Sequence, residues 1–188
     1  MTRDKTLAER VASIDGTSIS GRFMRHAAPG RDAFAGGYGG RWGAAIPVIY
    51  LGRPIDSCVE EAYRHLVDEA GVPAHLVKAR ILYNVDVQAN KILDLRSDDA
   101  LTEVGLTSAD LESPVGDYDA CQRVAAVAHQ LEYHGIIAKA ATKRGETLAL
   151  FRQRISVTEL PVVVSEDRWN QLPPRPGSGT ARLIVVPR

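Results

Sequence analysis

The stretch Gly36-Gly37-Tyr38-Gly39-Gly40-Arg41-Trp42-Gly43 decides the fold, because it leads a glycine-rich loop into a short apolar run and then into a helix. Its glycines remove the side chains that would keep a ligand away from the backbone. The guanidinium of Arg41 suits an anionic oxygen, since its planar set of N–H donors matches such groups. The loop therefore predicts one wall of a ligand site.

The apolar run at residues 46–51 contains β-branched and aromatic side chains and ends beside Tyr50, which is typical of a buried strand. Pro54 and Asp56 follow it and predict the start of a helix. This order brings a tyrosine on a strand close to the glycine-rich loop and to the beginning of the helix.

Ser57, Glu61 and His65 occur at every fourth position of that helix, so they line up along one side. The neighbouring face is apolar and consists of Cys58, Val59, Ala62 and Leu66. The polar row therefore lies at the border between the core and the cleft, and the Glu61 carboxylate is a candidate catalytic group.

Composition limits the class of protein. The chain has 188 residues, of which 45% are hydrophobic and 24% charged, as in one compact globular domain spanning 1–188. The strands and helices predicted along it make this domain α+β. Lys and Arg together number 23, as do Asp and Glu, so the net charge is zero. This balance provides no general attraction to nucleic acid or to a membrane surface. We find no P-loop, no dinucleotide-binding glycine pattern and no Cys/His spacing for a metal.

The termini and cysteines indicate a reduced, cytoplasmic protein. Cys58 and Cys121 each fall in the apolar stripe of a predicted helix, where a free cysteine behaves as a small hydrophobe. The first twelve residues are charged, and no apolar run approaches the length of a membrane span. Residues 1–15 show only weak helical spacing, and we interpret them as an N-terminal arm that is frayed or faces a partner.

The remaining elements alternate between strands and helices around this centre. The second long helix starts at Asp117 or Asp119 and stops at Gly135. Further strands are predicted at 18–24, 76–87, 91–95, 136–138, 147–151, 160–164 and 183–186, a short helix follows Ser97, residues 107–116 form a loop, and residues 173–180 form a flexible loop before the last strand.

Arginines, a tyrosine and a helix-borne glutamate around such a loop suit a phosphorylated ligand whose sugar carbon becomes cationic. Transfer of a ribosyl group passes through an oxocarbenium-like state, which a carboxylate stabilises while arginine holds the phosphates. The alternative is structural: Arg41 and Glu61 form an ordinary ion pair that joins loop to helix. Spacing alone favours the structural interpretation.

The order of the motifs resembles the RES-domain family, bacterial toxins that consume NAD and are paired with an antitoxin. The strongest block is Gly39-Gly40-Arg41-Trp42, followed by Pro47-Val48-Ile49-Tyr50-Leu51 and then by Glu61 and His65. Upstream, Gly21-Arg22-Phe23 fits the first arginine of the family and its aromatic follower. A second block runs from Cys121-Gln122 through Gly135-Ile136-Ile137 to Leu148-Ala149-Leu150-Phe151.

The resemblance implies a fold and a set of roles. The fold is like that of mono-ADP-ribosyltransferases, a mixed and mainly antiparallel β-core with flanking helices. Glu61 is implied as the catalytic carboxylate, Arg41 and Arg22 as phosphate or pyrophosphate ligands, and Tyr50 as the residue that contacts the nicotinamide ribose. Phe23, Trp42, Ser57 and His65 complete the implied substrate site, and no metal is implied.

Two positions depart from the family pattern. Gly43 replaces an asparagine found in many members, and Lys139-Ala140 replaces Pro-Ser. Ser57 is a candidate to supply the missing hydroxyl, and the alternative is a serine that the helix simply tolerates. For His65 the alternatives are a contact with the substrate and a hydrogen bond to Glu61 one turn away.

The implied activity is phosphorolysis of NAD to nicotinamide and an ADP-ribose phosphate. NAD and inorganic phosphate are then substrates, and no prosthetic group is expected. The implied partner is a cognate antitoxin that blocks the active site in a hetero-oligomer, without direct binding of nucleic acid or membrane. Two alternatives use the same cleft: an ADP-ribosyltransferase that modifies a protein, and a degenerate RES fold that acts as a binding module.

Overall fold

The computed structural model describes residues 4–177 as one mixed sheet with helices packed around it. The strands are β1 Thr17–Ala27, β2 Val48–Arg53, β3 Arg80–Leu95, β4 Gly135–Lys139, β5 Glu146–Phe151 and β6 Val162–Trp169. The helices are α1 Leu7–Ala12, α2 Ile55–Tyr63, α3 Asp98–Glu103, α4 Ser108–Glu112 and α5 Asp119–Gln130. Helix α2 continues into a π-helical segment at Arg64–Asp68, and 3₁₀ turns cover Ala74–Leu76 and Val157–Glu159.

Five of the strands close into a ring. Their order is β1-β2-β5-β4-β3, and β3 pairs back with β1, while β6 adds to β3. The β3–β4 pair is parallel and the other pairs are antiparallel. The predicted mixed and mainly antiparallel β-core is confirmed, but its closure into a ring was not predicted.

Strand β3 is the centre of this sheet. The separate strands predicted at 76–87 and 91–95 are one 16-residue strand, which pairs with β1, β4 and β6. Lys91 has a positive φ of 52°, a conformation that breaks the regular alternation of an extended chain. This local break explains why the sequence pattern suggested two elements.

Helix α5 covers one side of the ring. Cys121, Val124, Ala125 and Ala128 are buried in the largest apolar cluster, as their helical spacing predicted. The predicted end at Gly135 is wrong, because Gly135 is the first residue of β4. The helix ends instead before Glu132, which adopts φ 63°. Both cysteines are buried and free, as expected.

The segment 107–116 is not only a loop. Thr107 forms a capping box with Asp110, in which each side chain accepts from the other residue's backbone N–H, and this starts α4. Ser113 and Pro114 then end the helix and begin a short connection to α5. The helix brings Asp110 and Ser113 toward the glycine-rich loop.

Residues near the N-terminus belong to the fold and do not form an arm. Thr6 caps α1 through a capping box with Glu9, and Val11 is fully buried against α5. Tyr133 Oη donates to the carbonyl oxygens of Val11, at 3.1 Å, and Ile14, at 2.5 Å. We therefore correct the expectation for the described part of residues 1–15.

The C-terminal region differs in two ways from prediction. Strand β6 runs over Val162–Trp169 and so lies later than the expected 160–164. Residues 173–177 are held in place rather than loose, since Tyr63 Oη donates to the Pro173 carbonyl and Arg175 pairs with Glu60 at 2.7 Å. The predicted strand at 183–186 lies outside the described residues.

Candidate active site

A cleft of about 460 Å³ opens where the glycine-rich loop, β1, β2 and the first turns of α2 meet. Its walls also include the 113–118 connection and the hairpin between β4 and β5. The residues lining it include six with charged or hydroxyl groups from β1, the glycine-rich loop, β2 and the helix α2 with its continuation: Arg25, Arg41, Tyr50, Ser57, Glu61 and Arg64. The predicted centre of the chain thus does form one cavity.

The glycine-rich loop approaches β2 through Tyr50. Tyr50 Oη accepts a hydrogen bond of 2.9 Å from the backbone N–H of Trp42. A Cβ atom at Gly40 would lie 2.5 Å from that hydroxyl oxygen, so the close approach requires glycine. Gln122 on α5 holds the other side of the loop by donating to the Gly40 carbonyl at 3.0 Å. Burial raises the pKa of Tyr50, which keeps the phenol protonated.

Arg41 lines the cleft, but its guanidinium also holds the opposite wall. Nη1 donates to the Asp110 carbonyl at 2.7 Å and to Ser113 Oγ at 3.2 Å, and Nη2 donates to the Ser113 carbonyl at 2.9 Å. The guanidinium also lies 4.4 Å from the centre of the Tyr118 ring, a cation–π contact. Within residues 4–177, Arg41 forms no ion pair with Glu61, so the ordinary loop-to-helix pair is not what the structure shows.

The structure does not place Arg22 in the cleft, where its predicted role requires it. Its side chain is 49% exposed and pairs with Asp86 at 2.8 Å on the outer surface of the sheet, away from the cleft. Phe23, also expected at the substrate site, is fully buried in the core and contacts Arg53. Trp42 borders the cavity but is only 2% exposed and packs in the core.

Arg25 occupies the place expected for Arg22. It lines the cleft, and its Nη1 donates to the Tyr50 carbonyl at 3.2 Å. Burial lowers the pKa of the Arg25 guanidinium, which nonetheless stays charged at neutral pH. The sequence did contain a signal for this residue, because Arg25 directly follows the predicted strand 18–24 and the observed strand β1 extends to Ala27.

Glu61 and His65 are brought together as the helical spacing predicted. His65 Nε2 lies 3.2 Å from Glu61 Oε2, and His65 Nδ1 lies 2.8 Å from Glu69 Oε2. The hydrogen bond with Glu61, and that with Glu69, raise the pKa of His65. The His65 imidazole lies between the two carboxylates and orients the Glu61 side chain.

Three further cleft residues were missed by the sequence-based prediction. Arg64 donates to the Ser113 carbonyl at 2.8 Å, so this carbonyl accepts from two guanidiniums, those of Arg64 and Arg41. Tyr118 and Lys139 also line the cavity, and Lys139 Nζ pairs with Asp98 at 2.8 Å. Their positions depend on α4 and on the closed ring, neither of which a local sequence pattern revealed.

The arrangement combines a carboxylate with several cations and aromatic walls. This combination suits a ligand that carries phosphate groups and develops positive charge at one carbon. Among the described residues, no group of three or more His, Cys, Asp or Glu side chains could hold a metal ion. No helix in the described part of the chain is long and apolar enough to cross a membrane.

Comparison with known proteins gives a consistent picture. The family model described as the RES domain matches residues 16–171. A chain of the crystal structure of the M. tuberculosis MbcT-MbcA toxin-antitoxin complex superposes with a TM-score of 0.77 and 26% sequence identity, covering 89% of this chain and 93% of that one. No curated protein matches the sequence.

Proposed function

The chain belongs to the RES domain family, and from this premise we propose that it is the toxin of a toxin–antitoxin pair and degrades NAD by phosphorolysis. The observation that carries the proposal is the meeting of Glu61, Tyr50, Arg25 and Arg41 around one cleft. The similarity to a chain of a toxin–antitoxin complex supports the biological role. NAD supplies both the phosphates and the ribosyl carbon that such a cleft suits.

In the proposed reaction, an oxygen of inorganic phosphate attacks C1′ of the nicotinamide ribose. The bond between C1′ and the nicotinamide nitrogen breaks, and its electron pair neutralises the pyridinium ring. The products are nicotinamide and ADP-ribose phosphate, so the transfer is an ADP-ribosyl transfer to phosphate. Glu61 stabilises the positive charge that develops on the ribose.

The cations would bind the charged parts of the two substrates. Arg25 lines the cleft beside Tyr50 and replaces Arg22 in the implied role of phosphate ligand. Arg41 is shared between the cleft and the carbonyls of Asp110 and Ser113, so it contributes charge while it holds the wall. We assign Tyr50 to the nicotinamide ribose, which its phenol ring would contact from the loop side.

The reaction is tested by incubating purified protein with NAD in the presence and absence of inorganic phosphate and identifying the products by mass. We expect loss of NAD that requires phosphate and yields ADP-ribose phosphate. Loss of NAD to ADP-ribose without phosphate would indicate a hydrolase, and label on protein would indicate a transferase. No NAD loss from the folded protein would favour the binding module.

The proposed partner is an antitoxin that covers the cleft. Tyr38 and Val115 line its mouth with 69% and 50% of their surface exposed, which offers apolar contacts to a partner. The net charge is zero, so recognition would depend on local complementarity, with carboxylate or polar backbone groups offered to Arg25 or Arg41.

The existence of such an antitoxin is tested by expressing the tagged chain in the cells in which it naturally occurs. NAD turnover is then measured before and after the co-purified protein is removed. We expect a small protein that suppresses turnover and whose removal restores it. A chain that is active and harmless when expressed alone would contradict the toxin role and leave the enzymatic role intact.

A further inference from the structure

The hydroxyl of Ser57 is a buried polar group without a partner. Ser57 is completely buried, and its Oγ forms no hydrogen bond with any described residue. The residue nevertheless lines the cleft, on the first turn of α2 and one turn before Glu61. A buried hydroxyl usually has a hydrogen-bond partner, because leaving it unpaired carries the full cost of removing it from water. This serine is therefore positioned for a ligand atom.

Arg25 presents a second unpartnered atom to the same region. Its Nε is buried without a hydrogen bond, although Nη1 donates to the Tyr50 carbonyl. None of the ion pairs formed within residues 4–177 includes Arg25. The Asp32 carboxylate caps the backbone N–H of Phe34 and acts on Arg25 only through its field. A half-buried guanidinium whose Nε has no acceptor and which forms no ion pair favours an anion from outside the chain.

Two titratable groups beside these atoms, His26 and Cys58, are neutral. Burial, together with the charges of Arg80 and Arg25, lowers the pKa of His26 to about 3, so this imidazole is neutral. Burial raises the pKa of the Cys58 thiol to about 12, so no thiolate competes for Arg25. At this end of the cleft, which we call its inner end (Arg25, Gly52 and Ser57), the nearby carboxylates are Asp32, which acts on Arg25, and Glu61, which acts on Cys58. Within residues 4–177, neither of them forms an ion pair with Arg25.

A glycine lies beside the serine on β2. A Cβ atom at Gly52 would lie 3.4 Å from Ser57 Oγ, an ordinary contact distance, so the missing side chain leaves room next to the hydroxyl. Ser57 Oγ is the nearest side-chain polar atom to that room, and both residues line the cleft.

Resting on the proposed function, we propose that Ser57 Oγ and Arg25 Nε form a subsite that binds one phosphate group at the inner end of the cleft. Both groups donate to phosphate oxygens, and the guanidinium provides the compensating charge. The phosphate has two sources, the inorganic phosphate that accepts the ribosyl group and the pyrophosphate of NAD. The two substrates can be varied independently, so kinetics can distinguish these sources.

The test is the pair of variants Ser57→Ala and Thr142→Val in the full chain. Thr142 is the matched control, because its hydroxyl is also buried without a partner but does not line the cleft. Loss of one hydrogen bond to a charged group weakens binding by roughly tenfold or more. We expect Ser57→Ala to raise the KM of one substrate about tenfold with a smaller change in kcat, while Thr142→Val changes neither KM.

The result assigns the source of the phosphate. A raised KM for inorganic phosphate identifies the acceptor, and a raised KM for NAD identifies the pyrophosphate. If both KM values stay within twofold of the wild-type values, the subsite is refuted although the enzyme is active. Ser57→Cys, which is nearly isosteric and a weaker donor, replaces Ser57→Ala if the latter does not fold.

A second measurement separates this inference from the proposed function. Inorganic phosphate is added to the wild-type protein and to Ser57→Ala without NAD, and the thermal midpoint is followed. A rise in the wild-type midpoint that is lost in the variant supports the subsite even if NAD is never consumed. An unchanged midpoint in the wild type, or the same rise in both proteins, contradicts it.

Discussion

Glu61→Gln is expected to reduce NAD turnover by roughly a hundredfold to a thousandfold, the usual loss when one preorganised electrostatic group is removed. Glutamine has nearly the same shape as glutamate. Its side-chain oxygen can still accept a hydrogen bond from His65 Nε2, which lies 3.2 Å from Glu61 Oε2 in the wild-type protein. The variant therefore loses the negative charge that faces the ribosyl carbon and keeps the helix. The measurement is kcat for NAD loss, together with the thermal midpoint.

The matched control is Glu69→Gln. Glu69 lies on the same helical segment and also pairs with His65, at 2.8 Å, but it does not line the cleft. We expect its turnover to stay within a few-fold of wild type. A well-folded Glu61→Gln protein with unchanged turnover would contradict the assignment of Glu61 as the catalytic carboxylate.

Arg25→Ala is expected to abolish measurable NAD turnover, whereas Arg22→Ala should leave it nearly unchanged. The two arginines are three residues apart on β1, but Arg25 lines the cleft and Arg22 pairs with Asp86 at the surface. Arg25→Ala deletes the proposed ligand for phosphate and the donor to the Tyr50 carbonyl. An exposed ion pair contributes at most about 1 kcal/mol, so the loss of Arg22 is tolerated.

The informative measurement is the KM for NAD and for phosphate in both variants and in Arg25→Lys. Lysine keeps the charge without the planar set of donors, so Arg25→Lys should retain weak activity with raised KM values. If Arg22→Ala were as impaired as Arg25→Ala, Arg22 would again be a candidate phosphate ligand. The assignment of that role to Arg25 alone would then be contradicted.

Local sequence patterns predicted the parts of the site that lie close together in the chain. The glycine-rich loop, the strand bearing Tyr50 and the row Ser57, Glu61 and His65 all depend on spacing within one or two adjacent elements. Such spacing follows directly from the periods of strand and helix. These elements formed as predicted.

The errors arose where position depends on distant partners. The choice between Arg22 and Arg25 depends on how β1 pairs with both β2 and β3, since alternation alone does not say which surface of a curved strand meets the cleft. Helix α4 was missed because it is only five residues long and is set by the Thr107 capping box. Arg41 and Arg64 both donate hydrogen bonds to the Ser113 carbonyl, and the position of this carbonyl depends on that helix.

The closed ring also has a consequence for how the newly made protein matures. Strand β2, which carries Tyr50, is registered with β1 through the single pair Met24 and Gly52, and its full-length neighbour is β5 at Glu146–Phe151. Pairings between strands so far apart in the chain form slowly, because the intervening segment must first be ordered. During translation, the part of the cleft wall formed by β2 therefore lacks its main partner, strand β5, until most of the polypeptide has been synthesised. The cleft is therefore completed only in the late steps of folding.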